Sequence, residues 1–165
     1  MEQGKREDCL NSLLLRMAVS GIAAGFIAGL IISLNVDTVI DTINRLSRHY
    51  GVSPHQGLEG ETPLIRGLLV LSPLLQPVNQ AVSVVILGLI SWWLSSLSGD
   101  RCNTTRLLSL LLYTTITMAS TMYLASSSKS PTIFYLLGAF SIIVFIGVLL
   151  FLEWRSLPGS EPGRV

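Results

Sequence analysis

Residues 67–97 read GLLVLSPLLQPVNQAVSVVILGLISWWLSSL, a run with no acid, base or histidine. Built as one straight helix it would be about 46 Å long at about 1.5 Å per residue. That is too long for one upright crossing of a hydrocarbon core roughly 30 Å thick and too short for two. Proline supplies a way out. Pro73 and Pro77 lack the amides that would bond the carbonyls of Leu69 and Pro73, and each ring crowds the preceding turn. Ser72 and Gln76 are pushed from helical angles as well. The sequence predicts a half-helix from Leu64 to about Leu75, followed by a full span from Pro77 to Leu97, both within a broken second segment, 64–97. A single long, kinked helix is the alternative.

Working outward, three more uncharged stretches occur, at 17–34, 107–125 and 132–152. Half of all residues are apolar, only 13% are charged, and the mean hydropathy is +0.60. Backbone polar groups unpaired in lipid cost several kcal/mol, and helices satisfy theirs internally. The apolar runs do not alternate as barrel strands would. The expected fold is therefore an all-α membrane protein, a bundle of about four transmembrane helices in contact with membrane lipids.

The expected order begins with an N-terminal flank (1–12), a first span (13–34), an amphipathic helix (35–50) and a loop (51–63). The broken second segment, a loop (98–105), a third span (106–125), a fourth span (132–153) and a disordered tail (156–165) follow. Arg16 can snorkel from the first span to the interface, and the apolar run continues well past the Ala18-Val19-Ser20 mimic of a signal cleavage site, so the segment is read as a retained anchor. In the next helix Val36, Val39, Ile40, Ile43, Leu46 and Tyr50 recur at helical spacing. Asn35 is expected to cap it, Asp41 and Arg45 to pair across one turn, and Gly51 to end it. Such a helix suits partner docking or extension of the first span.

Two constellations stand out. GIAAGFIAG places Gly21, Gly25 and Gly29 in register with Ala24 and Ala28, a surface small enough for close helix packing within the chain, against a partner subunit or against a copy of itself. Ser72, Gln76, Asn79, Gln80 and Ser83 share one helical face about 100° wide. This polar seam is expected to avoid lipid, serving as glue between helices or lining a hydrated path. Hydroxyls at Thr114, Thr115, Thr117, Ser120 and Thr121 enrich the third span. Met118 and Met122 have a spacing that resembles the MxxxM of small copper transporters, but the methionine-rich segment of that family is missing and no GxxxG follows in the fourth span. They are read as packing filler.

No catalytic set, cofactor motif or metal-ligand pattern is present. His49, His55, Glu59 and Glu61 match no ligand spacing. Cys9 and Cys102 lie just outside the spans and are read as free thiols. Net charge is +1 without a basic cluster, which argues against nucleic acid. Lys5, Arg6, Arg16, Arg101, Arg106, Arg155 and Arg164 lie on the side of both termini, against Arg45, Arg48, Arg66 and Lys129 on the other, so the count favours cytoplasmic termini. The expected role is a non-catalytic accessory, assembly or scaffold subunit of a larger membrane complex. A small transporter or channel built on the broken segment, and a lipid-modifying enzyme using the loop 51–63, are the alternatives.

Overall fold

A computed structural model describes the backbone of residues 2–50, 58–95 and 101–155, and the side chains of 8–50, 63–95 and 102–155. It is all helical: α1 (Glu2–Leu34), α2 (Val36–His49), α3 (Leu58–Val70), α4 (Ser72–Leu94), α5 (Arg101–Ser127) and α6 (Pro131–Arg155). Among the described residues four helices are long and apolar enough to cross a membrane, in α1, α4, α5 and α6. They form a ring in which α1 packs most extensively on α4, α6 joins α1 to α5, and α4 and α5 make the sparsest of the four contacts. One end carries Cys9, Leu94, Cys102 and Arg155. The opposite end carries α2, α3 and the short 128–130 turn.

Several boundaries differ from the sequence expectation, each for a local reason. The helices α1 and α5 begin at Glu2 and Arg101, ahead of their apolar runs at 13 and 106. Hydropathy marks where lipid begins, whereas the backbone hydrogen-bond ladder of a helix can continue past that boundary. Backbone from Leu58 to Pro63, expected as loop, is helical, and Pro63 lies inside α3; the rest of that loop, 51–57, lies outside the described residues, as do 98–100 and the tail 156–165. Leu97 likewise falls outside them, and α4 is helical to Leu94.

The break in the second segment falls at Leu71, before both prolines and not between them. The Leu71 amide still bonds the Gly67 carbonyl at 3.0 Å, and Leu74 and Leu75 both donate to the Leu71 carbonyl. Interrupting the chain there puts Pro73 in the first turn of α4, where amides need no helical partner. Pro77 is absorbed within the helix at the expense of one backbone bond. The segment is thus nearer the kinked-helix alternative.

Helix α2 forms over the expected residues, but Asn35 makes no cap. Its Nδ2 donates instead to the Ile31 carbonyl at 2.8 Å, closing off α1. Val36 and Thr42 are the buried positions of α2, and Asp41 pairs with Arg45 at 3.2 Å and with Lys129 at 3.8 Å. Across from it, Arg66 of α3 reaches Asp37 at 3.1 Å, and the Tyr50 and Tyr123 hydroxyls hydrogen-bond. These contacts tie α2 to the ends of the spans.

The glycines explain the α1–α4 contact. The two helices run antiparallel. A Cβ added at Gly29 would stand 2.5 Å from the Ser72 carbonyl oxygen, and one at Gly25 would stand 2.5 Å from that of Gln76. At Gly21 it would meet Val84 Cγ2 at 2.7 Å and the Gln80 oxygen at 3.1 Å. Three glycines four apart therefore face three carbonyls four apart, with Cα hydrogens where side chains would clash, a geometry suited to weak C–H hydrogen bonds. The Ser72 hydroxyl adds a conventional bond to the Gly29 carbonyl at 2.7 Å. Ala24 and Ala28 are buried beside the glycines.

A covalent tie closes the other end. Cys9 and Cys102 form a disulfide, with Cα atoms 6.5 Å apart. Free thiols were expected because neither spacing nor composition reveals that α1 and α5, which barely touch elsewhere, converge at this end. Nearby, Ser95 and Thr105 hydroxyls bond at 2.6 Å, and Arg106 approaches Glu153 at 3.1 Å, although its Nε–H does not point at the carboxylate.

Candidate functional site: a polar cleft between α4 and α5

The apolar core lies toward the disulfide end. Leu13, Met17, Val84, Tyr113, Phe145 and Leu149 fill it, with Leu87 and Leu110 packed against them. Toward the α2 end α4 and α5 are held apart, and a cavity of about 410 Å³ opens between them. The volume falls within the range of small-molecule sites, roughly 300–1,000 Å³. It would hold about a dozen waters at about 30 Å³ each.

Four of the five seam residues line it: Gln76, Asn79, Gln80 and Ser83. Ser72, the fifth, is instead buried against Gly29. The separation follows from helix geometry, since Ser72 lies on the α1-facing stripe while the amides turn toward α5. Thr117, Ser120 and Thr121 of α5 and Ser141 of α6 supply hydroxyls opposite, and Ala28 and Ile32 of α1 form one wall. Thr121 is occupied, its hydroxyl donating back to Thr117 at 2.8 Å and packing where Gly138 leaves room for it. Ser83 likewise bonds back to the Asn79 carbonyl at 2.8 Å. Among the described residues the amide groups of Gln76, Asn79 and Gln80 make no side-chain hydrogen bond, leaving up to six amide N–H donors and three carbonyl acceptors unengaged.

Depth makes this unusual. Ser83 lies at the middle of α4, so in an upright crossing centred there Gln80, Asn79 and Gln76 would sit about 5, 6 and 10 Å from the bilayer centre at about 1.5 Å per residue, inside a half-core of about 15 Å. Amides left without partners in hydrocarbon cost roughly 2 kcal/mol or more each. Burying all three against acyl chains would cost about as much as the whole stability of many domains. Water or another hydrogen-bonding group in the cleft would remove that cost.

Tyr113 forms the inner end of the cleft. Its ring stacks on Phe145 with centroids 4.0 Å apart, and only 3% of the residue is exposed. The hydroxyl is buried without a hydrogen-bond partner; the Thr117 hydroxyl, one turn on, interacts with it without reaching hydrogen-bonding geometry. Sequence reasoning missed Tyr113 and Ser141. Both carried a signal: a tyrosine at mid-span, away from the interface where tyrosines concentrate, and a serine in the otherwise apolar middle of α6.

The other residues singled out do not gather. Met118 and Met122 point outward, more than half exposed. His49 lies by Tyr50, with ring centroids 5.5 Å apart, while His55 is outside the described residues. Among the described residues no three metal-ligating side chains cluster. Comparison with known proteins finds no matching family model, no matching curated protein and no matching solved structure.

Proposed function

We propose that this multi-pass membrane protein binds a small uncharged, hydrogen-bonding solute in the α4–α5 cleft and acts as a small transporter or channel for it. The observation that carries the proposal is the set of unpaired amides at Gln76, Asn79 and Gln80 inside the bilayer, ending at the unpartnered Tyr113 hydroxyl. The lining has no charged group, which suits a neutral solute and leaves no means of coupling an ion. The cleft is sealed toward the disulfide end by the apolar core and by the Ser95–Thr105 bond. Passage would need that seam to part, as in an alternating carrier.

A second reading, the accessory or scaffold subunit, is supported by the exposure of Asn79, Ser83 and Ser120 along the lip of the cleft. A polar partner helix would satisfy them equally well. The glycine stripe no longer supports that reading independently, because α4 occupies it.

Glycerol and urea serve as neutral probes in proteoliposomes followed by osmotic light scattering. The transport reading expects protein-dependent permeability, lost in Gln80→Leu and Asn79→Leu and reduced in Tyr113→Phe, with thermal stability maintained. Permeability equal to that of empty vesicles for folded protein, together with a stoichiometric membrane partner on mild-detergent purification, would replace it with the subunit reading.

A further inference from the structure

The only two cysteines in 165 residues, separated by 93 positions, meet at one end of the bundle and are joined. Forming that bond removes two protons and two electrons from the pair. The acceptor is a disulfide-bearing oxidant, which takes them by thiol–disulfide exchange. Such oxidants act in the periplasm, the secretory lumen and outside the cell, while cytosolic thiols are kept reduced. We infer that the end of the bundle carrying Cys9, Cys102, the start of α1 and the end of α6 faces the oxidising, non-cytosolic compartment.

Both sulfurs are placed for that chemistry. Cys9 is half-buried and Cys102 exposed, each in the first turns of its helix beyond the apolar run. An oxidant in the aqueous phase can therefore reach them. The distribution of Lys and Arg leans the other way, seven on the termini side against four. That bias is a statistical tendency of insertion, whereas the crosslink needs an electron acceptor on its own side of the membrane. Three of the four cations at the opposite end, Arg45, Arg66 and Lys129, are each paired with Asp37 or Asp41.

The inference fixes the direction of the cleft without depending on what the cleft holds. Its inner end at Tyr113 is near mid-membrane, and Gln76, Leu124 and Leu137 mark the end nearest α2. With the disulfide outside, the polar cleft lies in the cytosolic half of the bilayer, and α2 lies on the cytosolic surface.

The test combines two readouts on full-length protein in intact cells. The first is alkylation by a maleimide–polyethylene glycol under denaturing conditions, with and without prior reduction. The second is cleavage of a protease site appended to the N-terminus, by protease added to sealed membranes of known sidedness. The expected result is no mass increase without reductant, two additions after reduction, one addition without reductant in Cys9→Ser or Cys102→Ser, and an N-terminal site cleaved only from the non-cytosolic side. Two additions without reductant, or a site cleaved only from the cytosolic side, overturns the inference.

Discussion

Replacing Gly25 by alanine probes the α1–α4 contact at its tightest point. The new Cβ would stand 2.5 Å from the Gln76 carbonyl oxygen, 2.7 Å from Pro77 Cα and 2.8 Å from the Gln76 carbonyl carbon. All three are backbone atoms of a helix, so no side chain can swing away. Ordinary contact begins near 3.4 Å, so α1 and α4 must open by about 0.9 Å locally. A gap of about 0.5–1 Å forfeits a quarter to a half of the dispersion energy of the facing atoms. Overpacking of this kind costs about 1–3 kcal/mol, offset by up to about 1 kcal/mol from the better helix propensity of alanine. The net expectation is about 1–2 kcal/mol, roughly a tenfold loss in the folding equilibrium constant. Gly29→Ala meets backbone at 2.5 and 2.6 Å and should match it. Gly21→Ala meets the movable Val84 side chain first and should cost less, while Gly67→Ala and Gly147→Ala have nothing within 4 Å and should be neutral or slightly stabilising. Unfolding of purified protein by sodium dodecyl sulfate in mixed micelles, followed by circular dichroism, measures the series. Equal stability of Gly25→Ala and Gly147→Ala would refute the close-packed interface.

Ser72→Ala removes the one side-chain hydrogen bond that crosses the glycine seam. The same titration should show a loss of about 0.6 kcal/mol, and at most about 1.7, the range for hydrogen bonds between membrane helices. Reducing the Cys9–Cys102 bond should lower the thermal midpoint of the wild-type protein in detergent, and leave the midpoint of the Cys9→Ser variant unchanged by reductant.

Much of the architecture was legible because the signals were long. Uncharged runs marked four spans, and the period of α2 marked a helix over Val36 to His49. What the sequence hid depended on partners distant in the chain. Pro73 and Pro77 announced a break, but only the backbone shows it displaced to Leu71, where Pro73 becomes a first-turn residue. The glycines announced close packing without naming α4. Two cysteines 93 residues apart carried no pairing information until α1 and α5 were placed. Of the candidate site, the amides of α4 were visible as one face. Their counterparts, Tyr113 and Ser141, required knowing which helices stand opposite.

Whether the α4–α5 cleft is wet is tested most directly by cysteine accessibility. With Cys9 and Cys102 replaced by serine, single cysteines are introduced at Ser120 on the cleft, and at Ile86 and Ile143, which are half or more exposed and outside the cleft lining. Charged methanethiosulfonates react with thiolates, which form in water and not in hydrocarbon. Rapid modification of Ser120→Cys with Ile86→Cys and Ile143→Cys left unmodified is the expected result. A Ser120→Cys thiol as inert as the two lipid-facing controls would contradict a hydrated cleft.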